Sequence, residues 1–463
     1  MPQKLPSILA TGGYIHCPKY PVSIAMHSFI DQPISILGTT SFRGTHRRFG
    51  ITQEDRLGHM WILGKTGTGK STLLTYLIAQ DLEAHRGCMV LDPHGDLVEA
   101  ILDLVPANRV AETIYFNPAD LTTPVAFNPL DVPPRMPTSL VATGILSVLK
   151  KTWPDFWGPR MEYTLRASLL TLLSSPGTTL LDLHRLLVDA EFRNRLISRV
   201  KDPQLLQFWH KEFFTYTNSF RTEVVSPIVN KTGQYLLTPL LRNILGQRRS
   251  AFSFRDVMYD GRIILANLAK GRIGEDLSML LGSLLVNQLE LAALARADTE
   301  TSKRRHFFLY IDEAHLVATQ TMVELFPEAR KFHLGIILAH QYLDQLREEL
   351  RYALLGNVGT LVLFRLGSRD AEILANECAP EFRELDLVSL PAHEVAIKLM
   401  VGGTTARPFS AATLPAPTSR ASHRAEIIQE SRKRYGRSVK EVEWEIIRGW
   451  QAESLTYQGR LGL

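Results

Sequence analysis

Cysteine is scarce, with three in 463 residues. Cys17, Cys88 and Cys378 lie far apart and in no ligand spacing, which excludes a disulfide framework and a zinc module. A reducing, cytoplasmic setting fits that usage. Long apolar runs are missing too. The most apolar stretch, Met279 to Ala295, is broken by Asn287, Gln288 and Glu290, so it reads as a core helix and not as a membrane span. The N-terminus has no basic segment followed by an apolar stretch, and no internal repeat or low-complexity tract stands out. Charge of one sign is not in large excess. A net +5 permits a polyanionic partner without demanding one. The 45% hydrophobic content suffices for sizeable cores in two or three domains.

What is present centres on Gly64-Lys65-Thr66-Gly67-Thr68-Gly69-Lys70-Ser71, which fits G-x-x-x-x-G-K-[ST] without a mismatch. Ahead of it, His59–Leu63 reads as a short buried strand. After it, Leu73, Leu74, Leu77, Ile78 and Leu82 recur at helical spacing through Leu73–His85. The glycines let the backbone wrap a polyphosphate, so that N–H groups and a helix N-terminus face the anion. Gly64, Thr66, Gly67, Thr68, Gly69, Lys70, Ser71 and Thr72 are therefore the expected ATP-binding set. Lys70 reaches the β- and γ-phosphates, and the Ser71 hydroxyl ligates Mg²⁺. A Gly/Thr-rich turn is the alternative for a lone match, but the flanking strand and helix favour the nucleotide.

Residues 1–57 are rich in Pro, Gly and β-branched residues and read as short strands and turns. Arg43, Arg47 and Arg48 cluster there, in a solvated loop or against phosphate. Strand candidates follow at Gly87–Asp92 and Glu112–Phe116. Asp92 and His94 either approach the nucleotide from a strand end or merely shape the turn. Pro129, Pro133, Pro134 and Pro137 then punctuate the chain. From about Thr138 to Ser250 the pattern is helical, too long for a β-α connection, and reads as an inserted all-α lobe. Its aromatics (Trp153, Phe156, Trp157, Phe208, Trp209, Phe213, Phe214, Phe220) suit core packing better than stacking on bases. Strand and helix alternate again from Gly261–Leu268, through the helix Asp276–Arg296, to strands at His306–Ile311, Leu334–Ala339, Thr360–Arg365 and Glu394–Met400. That alternation predicts an α/β fold with a mostly parallel sheet. The expected division is an N-terminal β-rich segment (1–57), an ATPase core (58–133 and 251–413), the lobe (134–250) and a charged helical tail (414–463). In the tail, Val439, Val442, Ile446 and Ile447 make an apolar stripe, either for a partner or as an ordinary surface helix.

Phe307–Ile311 is an apolar strand ending in two acids. Asp312 is placed to help hold the Mg²⁺, and Glu313 to orient or deprotonate the attacking water. Gln341 ends a strand, where a polar side chain can sense the γ-phosphate. Arg330 closes the preceding helix. It either reaches a neighbouring protomer's nucleotide as an arginine finger or is a basic helix end favoured by the dipole.

These features together resemble the HerA/FtsK superfamily of ring-forming RecA-like ATPases, and within it the type IV secretion coupling proteins. The resemblance rests on GKTGTGKS at 64–71, LDPHGDL at 91–97, FFLYIDEAH at 307–315, EARKFHLGIILAHQ at 328–341 and Phe364-Arg365-Leu366-Gly367. It implies a RecA-like core, Arg330 acting on the adjacent subunit, Gln341 coupling nucleotide state to movement, and a homohexamer moving DNA through a central channel. Coupling proteins anchored in the membrane begin with transmembrane helices. This chain shows none, so an expected partner is a separate membrane anchor, with a relaxase or nuclease as cargo or co-worker. A nuclease-serving HerA-type motor and a nucleotide-gated protein scaffold are the alternatives. Asp312-Glu313-Ala314-His315 spells DEAH, but the motifs that accompany it in superfamily 2 helicases are missing.

Overall fold

Short apolar runs buried on both faces form the centre of the sheet. The computed structural model describes residues 34–41, 46–132, 135–418 and 421–458; Cys17, Arg43, Pro133, Pro134 and Ser419 lie outside them. The strands are β1 (Ile34–Thr40), β2 (Arg48–Thr52), β3 (Met60–Leu63), β4 (Gly87–Asp92), β5 (Thr113–Phe116), β6 (Ile263–Asn267) and β7 (Phe307–Ile311). They continue as β8 (Leu334–His340), β9 (Thr360–Leu363), β10 (Glu394–Lys398), a small hairpin of β11 (Met400–Val401) and β12 (Thr404–Thr405), and β13 (Phe409–Thr413). Eleven of them make one sheet in the order β2-β1-β13-β10-β9-β3-β8-β7-β4-β6-β5. From β9 to β5 the strands run parallel. From β10 outward they alternate in direction, so β1 and β2, in the segment read as short strands and turns, extend the core sheet.

Parallel strands need cover on both faces, and β3 shows how it is divided. Met60 and Ile62 pack with Leu73, Leu74 and Leu77 of the P-loop helix Lys70–Glu83. Trp61 and Leu63, one residue out of phase, face the layer built from the lobe and the long helix Glu275–Leu294. The lobe thus shares one continuous apolar cluster with the core. Trp153, Phe208, Trp209 and Phe213 are buried in it, Trp157 and Phe220 are half-buried, and Phe214 is exposed. Arg47 and Arg48 are solvated. The stretch Glu275–Asp298 is long and apolar enough to cross a membrane by length and composition, yet 83% of its most apolar window is buried inside the protein. Its interrupting polar residues have partners there: Gln288 donates to the Pro129 carbonyl at 2.8 Å, and Glu290 accepts from the Thr321 hydroxyl at 2.8 Å.

Two polar devices fix the ends of the sheet. Near the N-terminal strands, the buried Arg56 guanidinium forks onto Asp81 at 2.7 and 2.8 Å and also donates to Ser35 and the Tyr310 hydroxyl. At the opposite edge, the tail helix Arg424–Tyr435 lies along β5. Ser431 Oγ accepts from the Tyr115 N–H at 2.9 Å and donates to the Tyr115 carbonyl at 3.3 Å, occupying backbone groups that an edge strand would otherwise leave open. The last helix, Val439–Gln458, packs on the lobe. The apolar stripe divides, with Val442 and Ile446 buried against the chain itself and Ile447 exposed beside Trp444.

Candidate nucleotide site

The P-loop crosses from β3 to its helix at the C-terminal edge of the parallel strands, where such folds place their ligands. Its shape is held from outside. Lys65 N–H donates to the Arg365 carbonyl at 3.0 Å, and His393 N–H donates to the Thr68 carbonyl at 2.9 Å. The buried Thr68 hydroxyl closes the turn on the Lys65 carbonyl at 2.7 Å. Two glycines are dictated by space. A Cβ on Gly64 would lie 2.4 Å from Phe364 Cβ, and Gly69, at φ 118°, would meet His393 at 2.8 Å. Gly67 and Thr66 are exposed at the tip, with Ser71 exposed and Thr72 half-buried at the start of the helix.

Lys70 is buried, and its ammonium folds back onto the loop, donating to the Gly64 carbonyl at 2.6 Å and the Lys65 carbonyl at 3.2 Å. Burial lowers its pKa, opposed by the nearby Glu313 and Asp312 carboxylates. Ser71 Oγ donates to Asp312 Oδ2 at 3.4 Å. Burial, with Asp92 and Glu313 close by, pushes the Asp312 carboxyl up to about 6. Crowded, buried carboxylates of this kind are relieved by a cation. Among the described residues no cluster of three or more acidic, His or Cys groups forms a ready-made cage. Mg²⁺ takes one or two protein oxygens and completes its shell with water and phosphate. Ser71 and Asp312 fit that part.

Glu313 sits at φ 50°, a left-handed conformation few non-glycine residues adopt, which aims its side chain across the site. Gln341 donates to Glu313 Oε1 at 2.7 Å and accepts from the Thr66 hydroxyl at 3.1 Å. The P-loop tip, the glutamine that follows β8 and the second acid therefore form one hydrogen-bonded chain. Glu313 Oε2 is buried without a hydrogen-bond partner, 3.4 Å from His315 Nδ1.

Asp92 shapes its turn, accepting from the His94 N–H at 2.8 Å and the Val98 N–H at 3.0 Å, while His94 points to solvent. Its charge still acts on Asp312. Arg330 does not join the cluster. It is exposed ahead of β8, whereas Gln341 follows β8, so the strand's seven residues, roughly 20 Å, separate them. The sequence reading missed the partners of Gln341, the closeness of His315 to Glu313, and Lys151 beneath them. For Lys151 a signal existed: in the helix Thr138–Thr152 it falls in register with the buried Gly144 and Val148, seven and three residues earlier.

The family profile of the type IV secretion-system coupling protein DNA-binding domain matches residues 49–382. The chain belongs to that family. Solved coupling-protein structures share its fold. The bacterial conjugative coupling protein TrwBdeltaN70, in an unbound form, superposes with a TM-score of 0.57 at 14% identity, over 83% of this chain and 90% of that one. Plasmid coupling protein TrwB in complex with ADP and Mg²⁺ gives 0.58 at 14% identity, over 84% and 97%. VirB4 of Thermoanaerobacter pseudethanolicus gives 0.51 at 16% identity, over 82% and 96%. No curated protein matches the sequence. Family and fold agree with the α/β RecA-like core read from the motifs.

Proposed function

We propose that this coupling-family chain hydrolyses ATP with Mg²⁺ and uses the cycle, as a cytoplasmic homohexamer, to translocate DNA. The observation that carries the proposal is the chain from Thr66 through Gln341 to Glu313. It ties the phosphate loop to the acid that would activate water and to the end of the central strand β8. A structural turn has no use for a strained glutamate with one buried, unpartnered oxygen. Lys70 supplies positive charge to the β- and γ-phosphates once it leaves the loop carbonyls. Ser71 and Asp312 would hold Mg²⁺, which would supply charge neutralisation at the phosphate oxygens. Glu313 accepts a proton from the attacking water, and Gln341 registers whether the γ-phosphate is there. TrwB has been solved with ADP and Mg²⁺, which supports the same ligands here.

Arg330 lies too far from its own P-loop to act there, which supports a role on the neighbouring subunit's nucleotide. The test is ATP turnover by the purified full chain with and without DNA, alongside single-turnover displacement of a tethered DNA roadblock. Stimulation by DNA with displacement is expected. Hydrolysis indifferent to DNA would favour a nucleotide-gated scaffold. Co-purification with a nuclease in place of a relaxase would move the motor to DNA processing or defence.

A further inference from the structure

The side chain of Lys151 is unused by the chemistry above. It projects from the last turn of the lobe's first helix, Thr138–Thr152, and is 9% exposed. Its ammonium donates to the His315 carbonyl at 3.0 Å and the Ala318 carbonyl at 2.7 Å. Among the described residues no carboxylate pairs with it, and burial lowers its pKa well below that of a free lysine. A buried ammonium satisfied only by carbonyls is costly, and an apolar residue at this position would cost less.

The two carbonyls belong to the turn that begins at Glu313. Leu316 N–H donates to the Glu313 carbonyl at 3.0 Å, and Ala318 N–H donates to the Ala314 carbonyl at 2.9 Å. From the core side, Ser283 Oγ donates to the Val317 carbonyl at 3.1 Å. The turn is thus gripped by the core helix at one carbonyl and by the lobe at two. Glu313 holds its left-handed conformation at the start of this gripped turn, and such strain persists only where surroundings over-determine it.

We propose that Lys151 is a positioning residue that ties the turn after the acidic pair to the inserted lobe, so that displacement of the lobe is transmitted to Glu313. The proposal rests on the hydrolytic reading of the site. It explains why a cation stands on an otherwise apolar helix face: a fork of donors can hold two carbonyls at once, which no apolar side chain does. The lobe thereby gains a hold on the proposed base, Glu313, without contributing any group to the nucleotide.

The experiment compares wild type, Lys151→Met and Lys151→Arg for ATP turnover per bound nucleotide, KM, and the ratio of DNA-stimulated to basal rate. Lys151→Met is expected to lower kcat by on the order of 10- to 100-fold. KM should stay within about twofold of wild type, as for loss of an interaction felt in the transition state. The DNA-stimulated ratio should collapse towards unity. Lys151→Arg, which keeps a cation and several donors, should recover part of the rate and of the ratio. If Lys151→Met does not fold, Lys151→Gln, with one amide donor group, should fall between wild type and loss. Unchanged kcat and ratio in whichever neutral variant folds would overturn the proposal. So would parallel loss of nucleotide affinity and thermal stability, which is the mark of a structural role only. A wild type that fails to hydrolyse ATP defeats the reading of the site itself, whereas normal wild-type turnover with an indifferent Lys151 defeats this inference alone.

Discussion

In the proposed reaction single side chains decide the chemistry, and each has a distinguishable loss. Lys70→Ala removes the only ammonium aimed into the phosphate loop among the described residues, so calorimetry should find no ATP binding. Glu313→Gln keeps the shape and the hydrogen bond from Gln341 but removes the base. ATP affinity should survive while kcat falls by about 10²–10⁴. Gln341→Ala should also leave affinity in place and slow turnover, because Thr66 and Glu313 each lose the partner that links them. That Lys70, Ser71, Asp312 and Glu313 meet in one place was legible because a strand end or helix start fixes where such residues lie. The Thr66–Gln341–Glu313 contacts were not, since they join positions up to 275 residues apart and depend on which strands are neighbours. Lys151 was hidden by the ordinary expectation that lysine faces water, although its helical register pointed inward.

Elements came through where a period was strong. Every strand candidate from β3 to β10 is present within a residue or two, the two-residue shifts being the late start of β6, the early end of β10 and the early end of β9 at Leu363. There Phe364 turns away to pack against the P-loop glycines. The partners of the outer strands were not readable, because antiparallel pairing of β1 with β13 depends on contacts across most of the chain. In the helix Glu275–Leu294 the interrupting acid makes a test. Burial pushes the Glu290 carboxyl from its ordinary 4.5 up to about 7, with a hydrogen bond from Thr321 only partly offsetting it. A raised carboxyl pKa means that the folded state favours the proton. Its stabilising contribution is full below 4.5 and is lost as pH rises through 7. Glu290→Gln keeps the acceptor without the charge. It should match wild type at pH 4 and exceed it at pH 8 by on the order of 2–3 kcal/mol, read from denaturant midpoints at both values.

For the whole molecule, the proposed ring makes each nucleotide site a joint product of two subunits. Mixing Arg330→Ala chains with Glu313→Gln chains should restore part of the activity that each lacks alone, since some interfaces then pair an intact acid with an intact arginine. No recovery at any ratio would place Arg330 outside the reaction. DNA affinity dominated by phosphate contacts should fall steeply with added salt, and a flat salt response would indicate a different ligand. The tail, read as open to either role, is committed to its own chain along β5 and the lobe. The strand β8, buried at all seven positions, is followed at once by Gln341 and preceded by the short turn Arg330–Phe332. In the proposed ring this strand would stand between the residue that registers the γ-phosphate and the segment that reaches the next subunit, so a shift of one would be felt by the other. Adjacent nucleotide pockets would then be linked through the stiffest layer of the fold, and the link would be lost wherever that layer is loosened.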